Sequence, residues 1–240
     1  MRAILLAAGK GTRLRPLTNT TPKPLIEVNG LPMIERQIKY LKEKGISEII
    51  VITGYLKEKF NYLAYEYDVK LVHNDKYEEY NNLYTMYLVR EYLKDAYVLE
   101  GDIYMHHNVI DTSVAESTYF SPIKYDFQDE WMLQIDETNR VIDIVVGSVP
   151  GSHIMCGVSY WSKEDGEFIQ GKLEEAIAND TFKDKYWDNM IKENLDKLNI
   201  KVHELHESDL YEIDSLEDLE KVNEILRKQS INSSSLEGIF

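Results

Sequence analysis

Apolar positions recur along this chain in two rhythms. Residues 3–8 are an uninterrupted apolar run, the pattern of a strand buried on both faces. From Pro32 onward, Ile34, Ile38 and Leu41 fall on one helical face, and Gly45 supplies the stop. Residues 48–53 read as a second buried strand, after which Gly54 and Tyr55 turn into a helix through Leu56, Phe60 and Leu63. A third strand is expected over 69–73, a helix over 81–92 with Leu83, Tyr84, Tyr87 and Leu88 inward, and a fourth strand over 96–99. Alternation of this kind predicts a parallel sheet with helices on both faces.

After Asp102 the rhythm changes. Segments 116–121, 131–135, 140–146 and 153–161 alternate or are β-branched, with turn signals at Thr138-Asn139 and Pro150-Gly151. They predict a mostly antiparallel insertion or sheet extension. Helices are expected at 164–178 and 187–197, a strand at 200–205, and a last helix from Ser215 to about Lys228. Asp218, three residues after Ser215, makes an N-terminal cap with Asp in place of the usual Glu. The fold class is therefore α/β: a Rossmann-like, mostly parallel sheet flanked by helices, with a small antiparallel β insertion. Residues 1–228 are expected to form one domain, 1–115 as its first part and 116–228 as its second. The Ser-rich segment 229–240 has no periodicity and is expected to be a flexible tail.

Composition narrows the class. Of 240 residues, 43% are hydrophobic and 29% charged, as in a globular protein with a sizeable core. No run of 18 apolar residues predicts a membrane span, and the N-terminus enters a core strand without a signal-peptide pattern. A single cysteine, Cys156, excludes an internal disulfide and fits a reducing cytoplasm. The net charge of −15 argues against nucleic-acid binding, which needs a basic face, and suits a cationic small substrate.

Against that acidic background, Lys10, Arg13 and Arg15 fall within six residues, directly after the first strand. Gly9 and Gly11 let the backbone turn and bring its N–H groups, with Thr12, close to an anionic ligand. Lys23 stands between Pro22 and Pro24, which restrict the backbone around it. This is the composition of a phosphate-handling loop. Gly9-x-Gly11 alone is a weak signal: Leu14 occupies the third glycine of a dinucleotide fingerprint, and no P-loop pattern occurs. A tight turn with solvated cations is the alternative.

Ligands of an open parallel sheet bind outside the carboxyl ends of its strands. Both the glycine loop and Asp102 meet that condition, and a carboxylate there suits Mg²⁺. Farther along, Trp131, Tyr186 and Trp187 lie near Glu130, Asp184 and Asp188. Aromatic faces with nearby negative charge are what a quaternary ammonium requires, since it has no N–H to donate; ordinary packing is the competing explanation. Three residues apart on a strand, His203 and His206 face opposite ways and make a poor metal pair. His106-His107 reads as solvated loop and Cys156 as a small core residue.

The segment from Leu6 to Leu25 carries L-A-A-G, G-x-R, P-L-T and T-P-K-P-L in order. It resembles the N-terminal signature of nucleotidyltransferases that make sugar-nucleotides and related activated metabolites. Residues 49–56 (IIVITGYL), 74–87 (NDKYEEYNNLYTMY), 186–190 (YWDNM) and 211–215 (YEIDS) make the chain similar, over nearly its full length, to bacterial phosphocholine cytidylyltransferases. The resemblance implies an enzyme that transfers CMP from CTP to phosphocholine with Mg²⁺. It makes 1–115 the nucleotide-binding part and 116–228 the substrate-binding part. It implies Lys23 at the α-phosphate and Arg13 at the leaving pyrophosphate. Leu6, Ala7, Ala8 and Gly9 would contact base and ribose, and Asp102 and Asp214 would hold the metal. Trp131, Tyr186, Trp187 and Asp188 would line the choline pocket, joined by Glu212. Asn81, Asn82 and Tyr84 are further candidates for nucleotide or substrate phosphate. Alternatives are the same chemistry on phosphoethanolamine or 2-aminoethylphosphonate, a sugar-1-phosphate nucleotidyltransferase, and a non-catalytic nucleotide-binding module.

Overall fold

A computed structural model describes the chain over residues 1–237, with side chains through 229. The first half contains β1 (Arg2–Ala7), the short β2 (Glu27–Val28) and β3 (Leu31–Pro32), α1 (Met33–Glu43), β4 (Ile49–Thr53), α2 (Asn61–Glu66), β5 (Lys70–His73), α3 (Asn82–Leu88), β6 (Ala96–Glu100) and β7 (Ile103–Met105). The second half contains β8 (Ser117–Lys124), β9 (Glu130–Ile135), β10 (Val141–Gly147), β11 (Ser152–Ile154), β12 (Val158–Trp161), α4 (Lys163–Ala178), α5 (Trp187–Glu193), β13 (Ile200–Leu205), β14 (Leu210–Glu212) and α6 (Leu216–Glu237).

One ten-stranded sheet runs through the molecule in the order β10-β9-β11-β8-β12-β6-β1-β4-β5, with β13 paired to β8. The β6-β1-β4-β5 end is parallel throughout. β12 joins β6 antiparallel, so the antiparallel strands extend the same sheet. Period-2 alternation of β1 explains why the sheet is covered twice. Ala3, Leu5 and Ala7 enter one apolar cluster with α1, while Ile4 enters the other with α3, α4 and α5.

Several expectations shift. Helix 81–92 is α3 followed by a 3₁₀ turn at Arg90–Tyr92, and 187–197 likewise divides into α5 and a 3₁₀ turn at Leu195–Lys197. Segment 153–161 divides into β11 and β12 at Gly157, whose φ of +72° interrupts the extended backbone. The three-residue β7, too short to show a period, had no sequence signal. The last helix, expected to end at about Lys228, instead continues as α6 to Glu237, since no glycine or proline interrupts 229–237 and extending a helix costs less than nucleating one. The last three residues of the expected tail, 238–240, lie outside the described residues.

A third apolar cluster positions the site. Leu14, Ile26, Val28 and Met33 from the N-terminal quarter pack with Tyr104, Ile213, Val222 and Leu226. This cluster holds the start of α6 against the glycine loop.

Candidate active site

The loop after β1 is shaped around Lys23. Gly11 has φ +58°, and a Cβ there would stand 2.7 Å from Lys23 Cβ, so glycine is required both by conformation and by space. Thr18 Oγ1 donates to the Gly11 carbonyl at 2.8 Å and closes the loop. Lys23 opens a 3₁₀ turn over Lys23–Leu25 and is buried, with its side chain 9% exposed.

Asp102 is set by two contacts. The buried Gln37 of α1 donates to the carbonyls of Glu100 and Ile103 at 2.8 and 2.9 Å, fixing the turn between β6 and β7. Gly101 N–H donates to the Leu6 carbonyl at 2.9 Å. A Cβ on Gly101 would lie 2.9 Å from that same oxygen. The turn is therefore pressed against β1. Asp214 comes from the other end of the chain. β14 pairs antiparallel with β7, Glu212 opposite Ile103, so the backbone leaving β14 passes directly beside Asp102.

The result is one charged cluster. Lys23 Nζ donates to Asp102 Oδ2 and to Asp214 Oδ1, each at 2.6 Å, and Arg13 Nη2 pairs with the same Asp214 oxygen at 3.0 Å. Burial alone would lower the Lys23 pKa, but the two carboxylates outweigh it and raise it above the ordinary 10.5. Burial works against ionising Asp214, yet Lys23 and Arg13 hold its pKa below the usual carboxylate value. Asp214 is accordingly ionised at neutral pH, and the Asp102 and Asp214 carboxylates lie on one ammonium. Two hard oxygen donors suit Mg²⁺, which completes its shell from substrate phosphates and water. Among the described residues no group of three or more His, Cys, Asp or Glu is arranged to hold a metal unaided.

This cluster borders a cleft of about 460 Å³ whose rim includes Leu6, Ala7, Ala8, Gly9, Gly11 and Thr12. A second cavity, about 300 Å³, adjoins it and shares Leu6, Arg13, Asn82, Glu100, Tyr186 and Glu212 with it. The second cavity has aromatic walls, Trp131, Tyr186 and Trp187, and carboxylates at Glu100, Glu130, Asp188 and Glu212. Burial raises Asp188 to about 7. Burial and then its acidic neighbours Asp214 and Asp102 raise Glu212 to about 7, and burial with Asp102 raises Glu100 well above its usual value. Carboxylates held this high with so little compensating positive charge make the cavity receptive to a cation.

Comparison with known proteins agrees with this geometry. Residues 2–117 match the nucleotidyl transferase family. The chain is 48% identical to the choline-phosphate cytidylyltransferase of Streptococcus pneumoniae, covering 96% of this chain and all of that one. It is 35% identical to the enzyme of the same name from Haemophilus influenzae, covering 97% and 99%. The solved CTP:phosphocholine cytidylyltransferase of S. pneumoniae superposes with a TM-score of 0.91 over 94% of this chain and 98% of that one. The chain belongs to the bacterial phosphocholine cytidylyltransferase family. It is an enzyme of the nucleotidyltransferase class.

In this phosphocholine cytidylyltransferase family member, the two groups of residues singled out from sequence fall on the two adjoining cavities. Lys23, Arg13, Asp102 and Asp214 surround the first; Trp131, Tyr186, Trp187 and Asp188 line the second, and Glu212 faces both. Their settings differ. Trp187 is 3% exposed and packs edge-on to Trp161 at 5.4 Å, so it is largely core, whereas Tyr186 is 49% exposed at the mouth. Asn82 lines both cavities, but its Oδ1 already accepts from Trp187 N–H at 2.9 Å and ties α3 to α5. Asn81 donates to the Asp184 carbonyl at 3.0 Å, and Tyr84 packs against Tyr80 and Phe182. Lys10 pairs with Glu78 at 2.7 Å, away from the charged cluster. Cys156 is core: burial pushes its thiol up to about 12, and Sγ donates to the Phe120 carbonyl.

Sequence reasoning missed Glu100 and Tyr119. Each ends or occupies an apolar strand run and reads there as an ordinary core-strand position. The one available signal was Glu100 itself, a charged residue at the carboxyl end of a central parallel strand, where ligands bind.

Proposed function

We propose that this protein is a CTP:phosphocholine cytidylyltransferase, transferring CMP from CTP to phosphocholine with release of pyrophosphate. The observation that carries the reading is the adjacency of the two cavities, one charged and roomy enough for a nucleotide, one aromatic and acidic, meeting at Glu100 and Glu212. A phosphate monoester entering from the second cavity faces the α-phosphorus of a triphosphate in the first.

The phosphate of phosphocholine is already ionised, so the attack needs positioning and charge neutralisation rather than a protein base. Lys23, restricted by Gly11, Pro22 and Pro24, stabilises the charge that develops at the α-phosphate. Arg13, with its side chain 72% exposed at the rim, grips the departing pyrophosphate in a bidentate fork. Backbone groups of Leu6 to Gly9 receive the nucleoside. Asp102 and Asp214 would hold Mg²⁺, which supplies Lewis-acid neutralisation of the triphosphate. Trp131 and Tyr186 meet the trimethylammonium with their faces, each good contact contributing roughly 0.5–2 kcal/mol, and Asp188 and Glu212 supply the opposing charge.

Pyrophosphate release measured with CTP and a panel of phosphocholine, phosphoethanolamine, 2-aminoethylphosphonate and glucose-1-phosphate tests the reading. Phosphocholine is expected to give the highest kcat/KM. Turnover with the sugar phosphate alone, or with none of them, would remove the proposed activity.

A further inference from the structure

Tyr119 lies on β8 in the floor of the second cavity and is 3% exposed. Its hydroxyl is buried and has no hydrogen-bond partner among the described residues. The ring cannot easily turn away: it packs edge-on to Trp161 at 5.6 Å, and its main chain pairs with Ser159 of β12. A buried hydroxyl left unbonded costs on the order of 1–3 kcal/mol, so its retention calls for a partner that arrives with a ligand. Burial, then the nearby Asp188 and Glu100 carboxylates, keep the phenol protonated. It can therefore donate to a carboxylate while its oxygen accepts from something else.

The neighbouring groups point to what that is. Glu100 faces both cavities, and its carboxylate occupies space that Gly157 leaves open. A Cβ on Gly157 would stand 2.9 Å from Glu100 Cβ and 3.0 Å from its Oε2. Asp188 approaches from the first turn of α5. The floor thus presents three oxygen-bearing side chains from three elements, beneath walls that are aromatic. A trimethylammonium has no N–H for these oxygens and meets them only through weak C–H contacts. A primary ammonium has three N–H donors and fits them directly.

We propose that Tyr119 is a specificity-determining residue whose hydroxyl accepts a hydrogen bond from an ammonium N–H, so that the cavity admits phosphorylated primary amines alongside the quaternary one. This rests on the cytidylyltransferase reading above. Aromatic faces recognise methyl groups, and the oxygen floor recognises N–H groups.

The test is Tyr119→Phe, with phosphoethanolamine measured both as a substrate and as a competitive inhibitor of phosphocholine turnover. The variant is expected to weaken phosphoethanolamine about tenfold, the loss of one hydrogen bond to a charged donor. Phosphocholine kcat/KM should fall less than the phosphoethanolamine constant, since only weak C–H contacts to the trimethylammonium are lost. The thermal midpoint should not fall. Equal weakening of both amines would make Tyr119 a packing residue and overturn the proposal. So would an unchanged phosphoethanolamine constant, or a wild-type protein with no measurable affinity for phosphoethanolamine. Wild-type turnover of phosphoethanolamine without any of phosphocholine would instead remove the choline reading and leave the role of Tyr119 standing.

Discussion

At the scale of single residues, the site is governed by where burial and charge compete. Lys23 is buried yet keeps its proton because two carboxylates share it. Lys23→Ala removes the ammonium proposed to meet the α-phosphate and is expected to lower kcat by about 10²–10³, with a smaller change in the KM for phosphocholine. Steady-state kinetics checks this, and near-normal turnover would take Lys23 out of the reaction. Asp188 shows the opposite balance: burial raises it to about 7, with no ion pair to offset it among the described residues. Below that pH the carboxyl is neutral, and above it the carboxylate is charged. A bound cation favours the charged form, so the KM for phosphocholine should rise as pH falls through about 7, by up to about tenfold per pH unit. The substrate phosphate, with a second pKa near 6 by analogy with phosphoserine, titrates in the same range. Asp188→Asn separates the two: its KM profile should be flatter than the wild-type one, and superimposable profiles would clear Asp188 of the effect.

At the scale of elements, short devices decide the geometry. The two-stranded β7/β14 ribbon is only three residues long, yet it sets Asp214 beside Asp102. The start of α6 secures it. Asp218 accepts from Ser215 N–H at 2.8 Å, from Ser215 Oγ at 2.7 Å and from Asp214 N–H at 3.2 Å, while Ser215 Oγ accepts from Asp218 N–H at 3.2 Å. Asp218→Ala removes the reciprocal cap, at roughly 1 kcal/mol, and should lower the thermal midpoint by about 2–4 °C. Because the same carboxylate orients the backbone of Asp214, kcat should fall as well. A lowered midpoint with unchanged kcat would confine Asp218 to helix capping.

At the scale of the molecule, the active site depends on chain ends meeting. The cluster packs Leu14 and Ile26, from the first eighth of the chain, with Ile213, Val222 and Leu226 from the last eighth, around the mid-chain Tyr104. Leu226 is 8% exposed, so Leu226→Ala should cost about 2–4 kcal/mol and loosen α6 against the glycine loop. Activity should then be lost at a lower urea concentration than sheet structure is, followed by circular dichroism. Coincident loss would mean that α6 unfolds only with the whole domain. The extension of the parallel sheet by antiparallel strands has a similar consequence. β8, β9 and β12 continue the sheet carrying β1, so Trp131 and Tyr119 stand on the same framework as the glycine loop.

By itself, the sequence determined the α/β class, the parallel order near β1, the glycine loop after β1 and the family. Each is written in local features: unbroken apolar runs, glycines after a strand, and motifs read without folding the chain. It also marked Asp102 as a strand-end carboxylate, and matched Asp214 through the YEIDS stretch. Only the tertiary structure decided that these two acids converge on Lys23, because a contact across 191 positions depends on β7 meeting β14 and leaves no period in either segment. It alone separated Trp187, packed into the core, from Tyr186 at the mouth, since neighbours one residue apart look alike in composition. It likewise revealed Glu100 and the unbonded Tyr119 hydroxyl, because whether a strand residue faces packed core or cavity depends on what the other elements leave uncovered.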